Sequence, residues 1–493
     1  MTTPSSQRVM TWAGLVGLLV AISVQSWTLT ISPTVWQDEA QTIDIGRQLL
    51  ESSSPETVWF EPGRAGLPQL SYLGPLLLEL AFRIGGETLF APRLAALLAA
   101  AVAGIACLVW LRRLGVPLLF GWLALFWLYL DPAVERSYRG ARADTLAMAL
   151  AFAACVLISG SRGATSFRRR LVVAGAIAAV LPWIWLPAFL LWPLIGVAVW
   201  HARSESGAST PWLHTLSWSG VGALAGTAAV MVPVSSALFE TLAAMRGLLT
   251  FDATVKDIGA PQSAGRWDGV WASIRYAPWL PVIAAAGAVV SGRLGRGLAL
   301  AAAAVALVVI GTRPYLYRYV YLVPYLIVLS ALACARLHQS ANLWGRRAAL
   351  GLAIGMALWC AAFALVHRTH SATIERDGRD PGRLVDALER TVGRGPRAVY
   401  VETLGVYYAG RSLGWQMYRP SFPWRPADVT AVLAKSDAIV TQLVFDTPER
   451  RARFAEAGFD AGTRVDIAEV PAQRFRYGGE PYGPFLVFLR VAR

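Results

Sequence analysis

Two adjacent carboxylates, Asp38 and Glu39, lie a few residues after the first long apolar segment of the chain, residues 9–31. That segment is long enough to cross the hydrocarbon core of a bilayer, so the two acids lie where the chain leaves the membrane. An acid in such a position is costly unless it faces a water-filled cavity and has a task there. We therefore interpret Asp38 as a candidate general base, which accepts a proton from a hydroxyl group, and Glu39 as its support.

Two later loops place arginines, tyrosines and one acid beside the ends of other apolar segments. Arginine binds phosphate oxygens through two parallel hydrogen bonds and does not lose its proton. A carboxylate that faces such arginines in a poorly hydrated pocket has the groups needed for transfer from a lipid phosphate. The candidate partners of Asp38 are Arg139, Arg142, Asp144, Arg313, Tyr317 and Arg318.

Each of these groups also has a simpler interpretation. Asp38 and Glu39 can stabilise the first turn of the helix that follows them. Arg139 and Arg142 can anchor the chain to lipid headgroups. The tyrosines near Arg313 are typical of an aromatic belt at the membrane surface. The matching basic loops favour the site for Asp38 and Glu39, whereas the aromatic belt is the favoured account of the tyrosines. Both accounts stay open for Arg313 and Arg318.

The composition predicts a polytopic membrane protein. The 493 residues are 55% hydrophobic, with a mean hydropathy of +0.47. The net charge of +14 comes from arginines between apolar runs, as the positive-inside rule requires of cytoplasmic loops, so nucleic-acid binding is not expected. The four cysteines all lie in apolar runs and are predicted to be small hydrophobic residues rather than disulfides or zinc ligands.

We predict about eleven membrane crossings, with the amino terminus inside and the carboxyl terminus outside. Residues 171–200 allow one long helix or two shorter helices, and only two helices keep the flanking arginines on the inner side. The apolar stretch 67–84 contains Glu79 and Arg83 and is expected to be an interfacial helix in a first outer loop, 32–87. The predicted spans are 9–31, 92–111, 117–130, 143–159, two within 171–200, 216–234, 278–290, 298–312, 319–335 and 348–366.

The residues after 366 have a different composition. Short apolar runs alternate with amphipathic helical patterns, which predicts a small extracytoplasmic α/β domain over 367–493, after a transmembrane module over 1–366. The sequence of this domain contains no glycine-rich phosphate loop. We therefore assign the domain to acceptor recognition or stability and expect no nucleotide cofactor. The predicted strands are Ala398–Val401, Asp437–Thr441, Arg464–Ala468 and Phe485–Val491.

The sequence resembles the GT-C glycosyltransferases, in the branch of the protein O-mannosyltransferases and the bacterial transferases that act on lipid A. The resemblance spans most of the chain, but each motif is short, and only their combination and order are specific. The motifs are Asp38-Glu39, residues 67–72, Gly85-Gly86-Glu87, Pro92-Arg93, Arg139 to Leu146, residues 313–324 and residues 399–411.

The resemblance implies a polyprenyl-phosphate sugar donor and transfer, with inversion, on the outer face of the plasma membrane to an envelope glycan, lipid or protein. It assigns the base to Asp38 and an orienting or metal-proximal acid to Glu39. Asp144 would hold the sugar or orient Arg142. Phosphate contacts are assigned to Arg139, Arg142 and Arg313 or Arg318.

Some relatives of this type bind zinc through a histidine, but the predicted outer loops before His367 contain none. A weakly held divalent cation near Asp38 and Glu39 stays an open alternative. A transporter or flippase for a lipid-linked substrate is the rival function, although such proteins usually place charges at the midplane of repeated helices. A structural envelope protein would leave the first-loop acids unexplained.

Overall fold

The computed structural model describes residues 4–35, 37–52, 71–160, 164–205, 211–232, 235, 277–311, 316–340, 342–418, 426–468 and 481–491. Most of these residues are helical. The α-helices, in chain order, are α1 Pro4–Trp27, α2 Gln37–Ser52, α3 Leu73–Ile84, α4 Phe90–Arg113, α5 Leu118–Leu130, α6 Pro132–Arg139, α7 Asp144–Ser159, α8 Ala164–Ile184, α9 Trp192–Glu205, α10 Trp212–Met231, α11 Trp279–Val290, α12 Gly292–Gly311, α13 Val323–Gln339, α14 Leu343–Thr373, α15 Arg376–Arg379, α16 Pro381–Val392, α17 Tyr407–Ser412, α18 Pro426–Lys435 and α19 Pro448–Glu456. Short 3₁₀ helices cover Leu186–Leu191, Leu316–Tyr321, Leu404–Val406 and Leu443–Phe445.

Every predicted apolar span coincides with a helix among the described residues. Five helices are long and apolar enough to cross a membrane by themselves, and α5 with α6, bent by 54°, would make a sixth. Three further apolar helices, α7, α11 and α13, are shorter. The polytopic helical architecture is therefore confirmed, while the number of crossings, about eleven, stays a prediction.

The ambiguous stretch 171–200 forms two helices, as the charge argument predicted. Helix α8 ends at Ile184, and a 3₁₀ turn, Leu186–Leu191, leads into α9. The indole Nε1 of Trp192 donates a hydrogen bond to the carbonyl of Ala178 at 2.7 Å, so the chain has turned back beside α8.

The chain divides into two compact units, of which the first contains residues 1–24, 96–138 and 143–365 and is helical. Its helices approach closely where glycine replaces a larger side chain. A Cβ atom at Gly222 in α10 would lie 1.8 Å from the carbonyl oxygen of Val172 in α8, and one at Gly175 would lie 2.1 Å from that of Ser219. Such small-residue contacts are typical of helices packed in lipid.

The second unit contains residues 25–95, 139–142 and 366–493. Its carboxyl-terminal part has a five-stranded sheet in the order β2-β1-β3-β5-β4. Strand β1 is parallel to β2 and β3, whereas β5 is antiparallel to β3 and β4. The four predicted strands are confirmed with small shifts at their ends, and the prediction omitted β2. The strands are β1 Ala398–Val401, β2 Gln416–Tyr418, β3 Ala438–Gln442, β4 Thr463–Val465 and β5 Phe485–Leu489.

The sheet has an apolar core built from alternating strand residues and the helices that cover them. Tyr400 and Ile439 from the parallel strands pack with Val432, Phe454 and Phe488, and none of these side chains is more than 4% exposed. Residues 25–95 belong to the same compact unit as the sheet. The division into a transmembrane module over 1–366 and an extracytoplasmic α/β domain over 367–493 stays a prediction.

Candidate functional site

The proposed base lies in an ion pair with one of the predicted arginines. Asp38 is in the first turn of α2, and its Oδ2 accepts a hydrogen bond from Nη1 of Arg142 at 3.0 Å. The guanidinium is 1% exposed and the carboxylate 24% exposed, so the acid is reachable while the arginine is enclosed. Next to Arg142, Ala141 has a φ of 42°, a left-handed conformation that residues with a Cβ rarely adopt. Such strained positions are concentrated at functional sites.

Glu39, the neighbour of the proposed base, is held by a different arginine. Its two carboxylate oxygens accept hydrogen bonds from Nε and Nη2 of Arg93 at 2.7 and 2.8 Å, and neither side chain is exposed. Nη1 of Arg93 also donates to the carbonyls of Leu29 and Pro33, each at 2.7 Å. Glu39 thus orients the start of α2 through Arg93, which attaches it to the preceding segment.

Arg139 lies against the backbone of the segment before α2. Its Nε donates to the carbonyl of Ser32 at 2.7 Å, and its Nη2 donates to the carbonyl and hydroxyl of Thr28 at 2.7 and 2.8 Å. Nη1 donates to the carbonyl of Gln25 at 3.1 Å and to its side-chain amide oxygen. All five N–H groups therefore have protein acceptors, and the side chain is fully buried. A contact between Arg139 and a phosphate, as the sequence predicted, would require some of these bonds to be given up.

Two further contacts hold the segment that leads to Asp38. Arg368, which is 2% exposed, donates from Nη1 to the hydroxyl of Ser32 at 2.8 Å. The backbone N–H of Val35 donates to the hydroxyl of Tyr482 at 3.3 Å. Burial raises the pKa of Tyr482 to about 12. Residues 25–35 are thus fixed by side chains from distant parts of the chain.

Helix α2 is also anchored through its third turn. The carboxylate of Asp44 accepts hydrogen bonds from Nε of Arg47 and from the hydroxyl of Tyr407, both at 3.0 Å. Burial raises the pKa of Asp44 above its ordinary value, although the charge of Arg47 opposes the change. Tyr407 begins the short helix Tyr407–Ser412, so the helix that carries Asp38 is tied to the carboxyl-terminal part of its unit.

Helices α2 and α3 are in close contact. A Cβ atom at Gly46 would lie 2.3 Å from the carbonyl oxygen of Pro75 and 2.6 Å from Cβ of Glu79. The fully buried carboxylate of Glu79 receives hydrogen bonds from Arg411 at 2.9 and 3.1 Å and from Arg83 at 2.8 Å. Desolvation lowers the pKa of Arg411, but Tyr407 and Glu79 outweigh it and raise the pKa overall.

The remaining predicted residues fall in the helical unit or outside the described residues. Asp144 accepts hydrogen bonds from the hydroxyls of Ser137 at 2.7 Å and Tyr321 at 2.6 Å. Arg318 is half-buried in the 3₁₀ helix Leu316–Tyr321. Arg313 and the side chain of Tyr317 lie outside what the structure describes.

Within the described ranges, no group of three or more histidine, cysteine, aspartate or glutamate side chains is placed to hold a metal ion. The carboxylate of Glu39 is already bound at both oxygens by Arg93. A cation near Asp38 and Glu39 stays an alternative from the sequence alone.

Sequence reasoning assigned no role in the site to five ionisable residues that shape it. Two of them share one signal, which is a charged group inside or beside an apolar run. Arg93 is the fourth residue of α4, and Glu79 lies in the middle of α3. A systematic search for charges that interrupt apolar runs would have found both. The five residues are Asp44, Glu79, Arg93, Tyr407 and Arg411.

Comparison with known proteins gives a match at the level of the fold. No family model and no curated protein matches the sequence. Two solved structures of ArnT from Cupriavidus metallidurans match over nearly the whole chain. The apo structure has a TM-score of 0.60 and 13% identity, and the alignment covers 98% of each chain. The structure bound to undecaprenyl phosphate also has a TM-score of 0.60, with 14% identity, and covers 100% of this chain and 99% of ArnT.

This likeness confirms the predicted fold class. The chain shares the fold of the two ArnT structures, with polytopic membrane helices and a carboxyl-terminal α/β domain, as the sequence resemblance implied. At 13–14% identity this likeness shows the fold alone.

Proposed function

We propose that this protein is an integral membrane glycosyltransferase that moves a sugar from a polyprenyl phosphate to a hydroxyl group of an envelope glycan, lipid or protein. The observation that carries the proposal is the ion pair between Asp38 and Arg142, which joins the proposed base to a buried cation. The fold supports it, because the same fold in ArnT has been observed with undecaprenyl phosphate bound.

In the proposed reaction, Asp38 accepts the proton of the acceptor hydroxyl as its oxygen attacks the anomeric carbon of the donor sugar. The bond between that carbon and the phosphate oxygen breaks, and the polyprenyl phosphate leaves with the electron pair. Attack from the face opposite the phosphate inverts the anomeric carbon. The charge that develops on the leaving phosphate is offset by the guanidinium of Arg142, which is already oriented by Asp38.

Glu39 has a positioning role in this scheme. With Arg93 it fixes the first turn of α2, so that Asp38 has little freedom to turn away from Arg142. We retain Arg313, Tyr317 and Arg318 as proposed donor contacts and Asp144 as a proposed sugar contact. Arg139 is proposed to act on the donor only indirectly, through the segment that it holds.

The orientation follows from charge. Arginines between the predicted spans place those loops in the cytoplasm, and the acids of residues 32–87 then face outward. We propose that the site and residues 367–493 lie on the extracytoplasmic side of the plasma membrane.

The test uses the full-length protein, purified in detergent and incubated with a panel of radiolabelled polyprenyl-phosphate sugars and an envelope lipid and glycan extract. We expect transfer from one donor class, and a loss of at least about 100-fold for Asp38→Asn. The matched control is Asp377→Asn, which removes an aspartate from an exposed pair with Arg383 and should transfer as the wild type does.

Equal transfer by wild type and Asp38→Asn, at equal folded yield, would remove Asp38 from the reaction. If no donor is used, but a polyprenyl-phosphate sugar crosses the bilayer of liposomes that contain the protein, the flippase interpretation would replace the transferase.

A further inference from the structure

A cationic groove lies between the amino-terminal part of α1 and the junction of α4 with α5. It has a volume of about 560 Å³ and is lined on one side by Arg8 and Trp12 and on the other by Arg112 and Leu118. All of these residues belong to the helical unit. The groove takes no part in the function proposed above.

The groove opens where the close contact of α1 with α5 ends. A Cβ atom at Gly14 would lie 2.3 Å from the ring of Trp122, and one at Gly17 would lie 3.0 Å from Phe126, so these two glycines let α5 side chains contact the backbone of α1. One and two turns earlier, α1 has Arg8 and larger side chains, which cannot be approached so closely. A space therefore remains between the helices at this end.

The polar end of the groove carries positive charge. Arg8 and Arg112 are both exposed, and the first turn of α1 has no acidic residue. Nη1 of Arg112 donates to the carbonyl of Val116 at 2.7 Å, which holds the guanidinium at the wall of the groove. Two guanidinium groups on facing walls suit a phosphate, since each presents several N–H donors in one plane.

The other end of the groove is apolar and continues along α1. Trp12 is 68% exposed and Leu15 37% exposed. Helix α1 has the length and composition of a membrane span, yet only 17% of its most apolar 18 residues are buried inside the protein. Its open face therefore lies against hydrocarbon, and a tryptophan one turn from an arginine is typical of the level of the lipid headgroups.

We propose that this groove binds the headgroup phosphate of an anionic diacyl phospholipid, with the phosphate between Arg8 and Arg112 and an acyl chain along Trp12 and Leu15. A free phosphate would use the same two arginines but would leave the apolar wall uncovered. The continuity of this wall with the open face of α1 favours the lipid.

The experiment titrates phosphatidylglycerol or phosphatidylcholine into the detergent-purified full-length protein and counts bound lipids by native mass spectrometry. We expect one tight phosphatidylglycerol that phosphatidylcholine does not replace. Since a basic residue near a lipid surface contributes about 1 kcal/mol, Arg8→Ala/Arg112→Ala should weaken this binding roughly 10- to 30-fold. The control Arg293→Ala/Arg296→Ala removes two exposed arginines outside the groove and should bind as the wild type does.

A second variant, Thr11→Trp, fills the groove without removing charge and should weaken binding comparably, which keeps the test decisive if the double variant folds poorly. Wild-type affinity in both groove variants would overturn the proposal, as would an equal loss in the Arg293/Arg296 control. Release of the bound lipid by millimolar inorganic phosphate alone would assign the groove to free phosphate and also overturn it.

Discussion

Arg93 and Glu39 form a two-point ion pair, at 2.7 and 2.8 Å, in which neither side chain reaches solvent. Glu39 immediately follows Asp38 in the first turn of α2, so the pair fixes the backbone that carries the proposed base. Removing one partner of a buried pair leaves an uncompensated charge, which is far more costly than the pair is stabilising.

Replacing Arg93 by methionine should therefore lower the free energy of unfolding by about 3–5 kcal/mol. Besides exposing the charge of Glu39 to an apolar environment, the change removes the donor to the carbonyls of Leu29 and Pro33. Thermal unfolding of the purified protein measures the loss. Arg394→Met, which breaks an exposed pair with Glu389, should leave the midpoint nearly unchanged. Similar midpoints for the two variants would contradict the role assigned to Arg93.

Arg139 and Arg142 should differ in what their removal affects. Arg139→Ala leaves backbone carbonyls of residues 25–32 without a donor and should cost at least about 2 kcal/mol of stability. Arg142→Ala should lower sugar transfer roughly 100-fold or more, and Arg142→Lys should restore part of the rate by keeping the charge.

Transfer rates and unfolding midpoints measured on the same preparations separate these two effects. A variant at Arg139 that loses transfer at an unchanged midpoint would show that this residue contacts the donor, as the sequence resemblance implied.

The stability of the protein should depend on the titration of Asp44. Burial raises the pKa of this carboxyl above its ordinary value of 3.8, so the folded state binds the proton more tightly than the unfolded state. The resulting stabilisation is complete below pH about 3.8 and is lost as the pH rises through the raised pKa.

We therefore expect the unfolding free energy of the wild type, relative to Asp44→Asn, to fall as the pH increases from about 4 toward neutrality. Unfolding midpoints of both proteins across this range measure the difference. Asp386→Asn, at an exposed position, controls for the general loss of one negative charge. A difference that grows with pH would mean that the interaction with Arg47 outweighs the cost of burial.

Two arginines bind Glu79, and they should contribute unequally. Arg411 is 10% exposed, whereas Arg83 is 36% exposed and is shared with Glu51. A double-mutant cycle with Glu79→Gln should give a coupling of about 1–3 kcal/mol for Arg411→Met and less than about 1 kcal/mol for Arg83→Met. Equal couplings would show that solvent screens both pairs alike.

Gly46 should tolerate no side chain. The Cβ of Gly46→Ala would lie 2.3 Å from the carbonyl oxygen of Pro75, so α2 and α3 would have to move apart. We expect a loss of roughly 1–3 kcal/mol in unfolding free energy, together with a lower transfer rate because α2 carries Asp38. Gly351→Ala in α14, where nothing lies within 4 Å of the added Cβ, is the control and should be neutral or slightly stabilising. A Gly46→Ala protein as stable and active as the wild type would show that α2 can shift freely.

The helices were predictable because a membrane-spanning helix needs a certain length and an apolar composition, and both are visible as a continuous run in the sequence. The strands Ala398–Val401 and Phe485–Leu489 were predictable for the related reason that buried strands are short apolar runs. Strand Gln416–Tyr418 was not predicted, because three residues of mixed polarity show no periodic pattern.

The site was only partly predictable. The position of a charged residue beside a span identifies Asp38, Arg139 and Arg142 as unusual. This position does not predict which arginine pairs with Asp38 and which one binds backbone carbonyls. That distinction depends on contacts between residues about 100 positions apart in the sequence, such as those of Arg142 with Asp38. The network of Asp44 with Tyr407 joins residues even farther apart and leaves no local pattern.

The segment before Asp38 is held by guanidinium groups from positions 93, 139 and 368. During synthesis on the ribosome, the last of these groups does not exist until residue 368 has been joined, more than 300 positions after Asp38. Asp38 is therefore synthesised long before the last arginine that holds the segment preceding it. A nascent chain released before residue 368 would contain Asp38 without the hydrogen bond from Arg368 to that segment.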